Sequence, residues 1–521
     1  MADLNVPPLL AHTPEVSPPW RWRLLLLPAI LAVVGILIAT ACAISGQDVQ
    51  REFYTLQMQN DYAHAEAALA QGELRHEPRE VLRKLEGELE KQRGRKIPSY
   101  AVYGRHFTQW DGYRYEEIMK GGYVYHLPTD PQSVKENSTI MAPGETEVRL
   151  KNVVWYPLYP VIGWVVSKVM GLSAVASLTV VSQGCIILAS VVLFLYARRH
   201  YYNRLPRMAG GVARSSRGFI VDRGGGTDTP ATPAAALGGE PGDEHPMRKW
   251  DLSPQDTAAL WACAALLYAP CSIFLYANFT ESLFVLLLVC FLYCLQSRWW
   301  WRAARVAAVA SSCRAQGALF GPILGLTFLM RSDLRNPFAR FGVGTVLGGI
   351  SLMGLFCYAA YLQMTFGDAL AFNHAQSSWN VGLHAEQLYN ALNPMNALTH
   401  VIHFAFYTQP MDWPRLWEAF CLLWPPIMLL VLGGRFLSFE LEIVGWLLWG
   451  LPYISNGLAG NPPLSSQWMS MGRFMVVLIP AHIIFGAVFA RFRWAGIPWL
   501  VMWAAAFAIF AYKFGAGNWV G

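Results

Sequence analysis

Residues 106 to 123 read His106-Phe107-Thr108-Gln109-Trp110-Asp111-Gly112-Tyr113-Arg114-Tyr115-Glu116-Glu117-Ile118-Met119-Lys120-Gly121-Gly122-Tyr123, with one carboxylate directly behind an indole and ahead of three tyrosines. A second piece, Trp155-Tyr156-Pro157-Leu158-Tyr159-Pro160, is a proline-stiffened aromatic corner at the start of an apolar run. Rings stack on sugar C–H faces while an acid takes a proton from a hydroxyl, so this combination suits gripping a sugar and activating its acceptor. Asp111 is the candidate base, with a loop-capping Asp as the alternative. Trp110, Tyr113, Tyr115, Tyr123, Trp155, Tyr156, Pro157, Tyr159 and Pro160 are the candidate substrate contacts.

Three further charges fall where charge is expensive. Glu281 stands at the mouth of an apolar segment, where ligand contact and a structural salt bridge are both open. Arg314 lies in a helix break, Ser311-Ser312-Cys313-Arg314-Ala315-Gln316-Gly317, and its guanidinium fork matches phosphate oxygens. Arg473 precedes an apolar run and has the same chemistry, and for both arginines a snorkelling topology role is the competing reading. His106, His126, His374 and His384 show no metal-ligand spacing. The Trp299-Trp300-Trp301 run, flanked by Arg298 and Arg302, reads as an interfacial belt.

These residues need a scaffold, and the composition says which kind. The chain has 521 residues, is 54% hydrophobic and only 14% charged, and carries 21 Trp, more apolar surface than one soluble core can bury. It is therefore expected to be an all-α polytopic membrane protein. The mean hydropathy is only +0.30 because two polar stretches dilute the apolar segments. The net charge of +6 is no nucleic-acid signal, since Arg and Lys gather at the ends of hydrophobic segments. The nine Cys lie in or beside apolar segments and form neither a disulfide framework nor a zinc pattern.

Along the chain, residues 1–23 are a Pro-rich cytoplasmic tail and 24–45 a first transmembrane helix, an uncleaved span being favoured over a signal peptide. Residues 46–160 form a large extracytoplasmic loop that carries Asp111. It includes an amphipathic helical insert at 57–96, broken at Pro78, and an irregular tail at 128–149. Within 161–197, an interfacial helix at 161–170 precedes the second span at 174–196. Residues 198–256, with Gly224-Gly225-Gly226 and Thr-Pro repeats, are expected to be a disordered cytoplasmic linker. Residues 257–521 make the remaining bundle: a hairpin of 257–276 and 281–295, a broken non-crossing hairpin around Arg314, and spans at 341–364, 416–432, 442–454, 473–490 and 497–512. About nine crossings result. Asn137-Ser138-Thr139 and Asn278-Phe279-Thr280 are sequons, which occur by chance as well as by use.

Trp110-Asp111 with Tyr115, Ile118 and Gly122-Tyr123 resembles the signature of the GPI mannosyltransferase 2 (PIG-V) family of membrane glycosyltransferases, and Trp155-Tyr156-Pro157-Leu158-Tyr159-Pro160 is similar to its Phe-Phe-Pro-x-x-Pro element. The resemblance continues through Ala269-Pro270, Thr280-Glu281-Ser282-Leu283-Phe284, Cys313-Arg314-Ala315-Gln316-Gly317 and Arg473-Phe474 with Pro480. The insert at 57–96, the long stretch between Tyr125 and Trp155, and Phe279-Thr280 in place of Tyr-Ser depart from the pattern. The resemblance implies a GT-C type fold and an inverting mannosyltransferase that uses a polyprenyl- or dolichyl-phosphate sugar on the non-cytoplasmic face. Its acceptor would be a glycan, lipid or protein hydroxyl, and divalent metal dependence is left open. One carboxylate suffices for such a transfer, because the lipid phosphate leaves already ionised. The alternatives are a GT-C enzyme moving another sugar and a lipid or sugar transporter; against the latter, the polar cluster lies in the first outward loop and no internal repeat is visible. A bacterial plasma membrane is favoured over the endoplasmic reticulum.

Overall fold

The computed structural model describes residues 22–70, 103–125, 152–216, 252–375, 393–403, 406, 413–455 and 470–520. Among them the chain is helical, with no β-strand. Four helices are long and apolar enough to cross a membrane: Arg23–Val49, Ala174–Arg204, Trp413–Phe436 and Arg493–Gly515. Counting two bent pairs as single spans makes six, and Leu158–Met170, Glu281–Gln296 and Ile479–Arg491 are shorter apolar helices. Large apolar side chains face outward along these elements, among them Leu37, Phe338, Met364, Leu430, Trp494 and Val501. Apolar surface on this scale is stable against lipid and costly against water. The protein is an all-α membrane protein.

The helix Pro254–Tyr268 is its centre. It starts cleanly because Ser253 and Asp256 form a capping box and Pro254 fits the first turn. Its small residues Ala258, Ala259, Ala262 and Ala265 are all fully buried, so neighbours close in on every side. Ala174–Ser216, Ile479–Arg491, Arg493–Gly515 and the first helix, Leu26–Ala70, surround it. The first and last helices touch backbone to backbone: a Cβ on Gly46 would sit 1.9 Å from the Tyr512 carbonyl oxygen, and one on Gly515 2.0 Å from that of Ala43. Only glycine permits that crossing.

Contacts along the helices define two poles. At the basal pole Arg198 pairs with Asp256 at 2.5 Å, Arg199 Nη1 donates to Ser297 Oγ at 2.7 Å, and Arg331 pairs with Glu440 at 2.5 Å. At the other pole the tip of the central hairpin, Ala277-Asn278-Phe279-Thr280, meets the segment around Asp111.

Several expected boundaries change. The first helix does not end near residue 45 but continues to Ala70, roughly 68 Å in all, because nothing between Ser45 and Ala70 breaks it. The first part of the 57–96 insert is thus an extension of the span, while the remainder and Pro78 lie outside the described residues. Residues 198–216, expected as disordered linker, continue the helix that begins at Ala174. The expected continuous span 257–276 bends by 72° where Ala269, extended at ψ 152°, meets Pro270. The span at 341–364 bends by 49° at Leu352, and the run from Arg473 divides into Met471–Val476 and Ile479–Arg491. The break around Arg314 is as expected. Trp300–Ser311 rises and Phe320–Arg331 returns, each of 12 residues and so about 18 Å long, short of a bilayer core of about 30 Å. Arg298 and Asp333, 3.3 Å apart, close the base of this hairpin.

Candidate functional site

Asp111 opens the helix Asp111–Gly121, where a carboxylate lies against the positive end of the helix dipole. This helix is docked from below by the central hairpin tip. Asn278 Nδ2 donates to Thr108 Oγ1 at 2.7 Å, Asn278 Oδ1 accepts from Thr179 Oγ1 at 2.8 Å, and the Asn278 backbone N–H donates to the Phe107 carbonyl at 3.1 Å. Asn278 is fully buried, so its sequon is a structural clasp and no glycosylation acceptor in the folded chain.

The four charged residues singled out from sequence form one chain. Arg314 Nη1 bonds Glu281 Oε1 at 2.6 Å, Arg473 Nε bonds the same oxygen, and Arg473 Nη1 bonds Asp111 Oδ2 at 2.5 Å. Alternating signs make the chain neutral, which is how charges survive burial. Glu281 is fully buried and the side chains of both arginines are 10% exposed, whereas the Asp111 side chain is 27% exposed. The chain therefore runs from the interior out to one accessible carboxylate. Four elements deliver it: the start of Asp111–Gly121, the start of Glu281–Gln296, the break in the short hairpin, and the helix Met471–Val476. The break closes tightly because a Cβ on Gly317 would fall 2.1 Å from the Ala310 carbonyl oxygen. The Arg473 guanidinium lies 4.7 Å over Phe279 and that of Arg314 4.9 Å over Phe474, so rings carry the faces that carboxylates do not.

Glu116 is held by Arg105 at 2.9 Å and Lys120 at 2.5 Å, and Glu117 by Arg114 at 2.9 Å. Neither carboxylate bonds the chain of Arg314, Glu281 and Arg473: Glu116 is buried in its own pairs, and Glu117 is 49% exposed beside Arg114. Asp111 Oδ1 accepts no hydrogen bond from a described residue, and Arg473 Nη2 donates to none.

The aromatic candidates separate into two groups. Trp110 and Tyr113 are exposed beside Asp111. Trp110 holds φ 50° and ψ −117°, a left-handed conformation that costs an L residue on the order of 1–3 kcal/mol. Tyr123 is half-buried, its hydroxyl donating to the Trp155 carbonyl at 2.8 Å, and Pro157 is half-buried at the head of Leu158–Met170. Tyr115, Trp155, Tyr156, Tyr159 and Pro160, expected as substrate contacts, are buried. Tyr115 packs edge-on to Tyr159 at 5.1 Å, and Tyr159 is spent on the Leu178 carbonyl at 3.0 Å and Ser182 Oγ at 2.7 Å. The Arg114 guanidinium covers Trp155 at 5.7 Å. These residues build the floor beneath the site. Burial, followed by the charge of Asp111, holds the Tyr115 phenol far above its usual pKa, so it stays protonated.

Tyr156 and Tyr123 join an aromatic cluster with Tyr358, Tyr361 and Phe372 that the sequence did not single out; Tyr358 donates to the Val153 carbonyl at 2.6 Å. Beside it Tyr125 donates to Asp368 at 3.1 Å, and His374 Nδ1 lies 2.8 Å from the same carboxylate. Burial raises the Asp368 pKa, but bonds from His374, the Leu370 N–H and Tyr125 outweigh it and hold the group below its ordinary value. His106 is buried against Phe107 with neither ring nitrogen bonded to a described residue, and burial lowers its pKa to about 4. His126 and His384 lie outside the described residues. Among the described residues no group of three or more His, Cys, Asp or Glu could hold a metal. No protein-family model, curated protein or solved structure matches the chain.

Proposed function

We propose that the protein is a membrane glycosyltransferase of the GT-C type, with about nine crossings, related to the GPI mannosyltransferase 2 family. It moves mannose from a polyprenyl- or dolichyl-phosphate carrier to an acceptor hydroxyl on the non-cytoplasmic face, in a bacterial plasma membrane or the endoplasmic reticulum. The observation that carries this reading is that a buried chain of two arginines and Glu281 ends in a partly exposed carboxylate, Asp111. An acceptor hydroxyl would donate to Asp111 Oδ1 and attack the anomeric carbon as the proton passes to the carboxylate. The departing phosphate would be met by guanidinium nitrogens of Arg473 and Arg314 that bond no described residue. Trp110 and Tyr113 supply exposed rings for the sugar face.

A lipid or sugar transporter is the second reading. The bends at Ala269 and Leu352 and the short hairpin at Arg314 favour it, because discontinuous helices around buried charge also build transport sites. Purified protein given polyprenyl-phosphate [¹⁴C]mannose separates the two: the glycosyltransferase reading expects labelled glycoconjugate and free polyprenyl phosphate. Translocation without cleavage of the sugar–phosphate bond would establish the transporter instead.

A further inference from the structure

Resting on the glycosyltransferase reading, we propose that Glu418 is a positioning residue, which sets Arg473 and Trp110 together against Asp111 without touching substrate. Glu418 lies on the helix Trp413–Phe420, is 3% exposed, and belongs to none of the four-residue charge chain. Its Oε1 accepts two hydrogen bonds from different directions. One comes from the Ser470 backbone N–H at 2.8 Å, the other from the Trp519 indole N–H at 3.3 Å. Arg415 Nη1 holds the other oxygen at 3.0 Å.

Each bond leads to one side of Asp111. Ser470 is a left-handed residue, φ 73° and ψ 10°, at the head of Met471–Val476, the helix that carries Arg473. A backbone that L residues disfavour persists only where its surroundings over-determine it, and here a buried, charge-assisted acceptor fixes the N–H. On the other side the Trp519 ring stands edge-on to Trp110, 5.4 Å apart at 82°, and lies 5.6 Å from Phe274, one of the rings under Arg473. Trp110 is itself left-handed. Non-glycine positive φ occurs at only three described residues, Trp110, Arg298 and Ser470; the carboxylate of Glu418 bonds Ser470 directly and reaches Trp110 through the Trp519 ring. One oxygen thereby ties the angle of the Arg473 helix to the wall beside Asp111. A shift of about 1 Å in such a constellation costs on the order of a hundredfold in rate.

The test uses the full-length protein in detergent or nanodiscs, with Glu418→Ala, Glu418→Gln, and Asp256→Ala at the basal pole as a matched loss of a buried carboxylate. Amide hydrogen exchange and sugar transfer are read on the same samples. Glu418→Ala is expected to raise exchange in 470–476 and 110–114 by roughly tenfold with 258–268 unchanged, and to lower kcat with little change in donor KM. Glu418→Gln keeps an oxygen acceptor for Ser470 and Trp519 and should restore both most of the way. Asp256→Ala should loosen the basal pole and spare 470–476. Unaltered exchange at 470–476 and 110–114 in Glu418→Ala would overturn the proposal, as would an equal rise throughout the bundle. The local pattern in a protein that transfers no sugar would uphold the brace and remove the glycosyltransferase reading.

Discussion

At the basal pole Asp256 is enclosed: it caps its own helix through Ser253, meets Arg198 at 2.5 Å and is 1% exposed. At the site pole Glu281 is as deeply buried, yet one of its two arginines, Arg473, reaches outward to Asp111, whose carboxylate remains 27% exposed. The basal pair sits in a capping box in the first turn of its helix, whereas the site chain hangs on the tight break at Arg314 and lies beside two left-handed residues, Trp110 and Ser470. Closed, unstrained burial of charge serves folding. Burial that ends in an open acid, held by strained backbone, has no folding benefit to explain the opening and points to chemistry.

The largest effect that could break this contrast is on Glu281. Glu281→Gln leaves Arg314 and Arg473 without their shared counter-charge, and thermal unfolding should show a loss of roughly 3–5 kcal/mol together with transfer. Asp256→Asn removes half of one pair and weakens a cap, with an expected loss of about 1–3 kcal/mol. Transfer per folded molecule should survive. If Asp256→Asn abolished turnover while folded, the two poles would not differ in kind.

Arg314→Ala is a smaller perturbation, because Glu281 keeps Arg473. It should raise the donor KM by about tenfold with kcat less affected, as expected for a contact present in ground and transition states alike. Unchanged kinetics would return Arg314 to a structural role.

The four charges of the site are legible in the sequence, Asp111 by its flanking indole and tyrosines and Glu281, Arg314 and Arg473 because each interrupts apolar surroundings, but their pairing is not. Asp111 and Arg473 are 362 positions apart, and only the fold brings them together. Glu418 gives a comparable signal, an acid inside the run expected as the span 416–432, but its partners Ser470 and Trp519 lie 52 and 101 positions away and only the fold brings them to it. The bend at Ala269 is legible from Pro270, whereas the bend at Leu352 has no proline to announce it. Aromatic type announced the region around Asp111 but not which rings face out. In the 11-residue helix Asp111–Gly121, Tyr113 and Tyr115 are two positions apart and so fall on different faces, one exposed and one buried.

A subtler contrast is pH. Burial sets the folded-state pKa of His106 at about 4, below the ordinary 6.5, so between those values the unfolded chain binds the extra proton. Its contribution to stability is full above the ordinary value and is lost as pH falls towards about 4. The melting temperature should drop over that interval, and His106→Gln should flatten the drop; an unchanged acid limb would show that other groups govern it.

The central claim is that Asp111 is the base, and Asp111→Asn measures it most directly. Asn keeps the shape of the side chain and can still accept a bond from Arg473 through its amide oxygen, but it cannot take up the proton. The account predicts wild-type expression and hydrogen exchange, little change in donor KM, and a fall in kcat for polyprenyl-phosphate mannose of roughly 10² to 10⁴. Near-normal kcat in folded Asp111→Asn would contradict it and leave Asp111 a structural partner of Arg473.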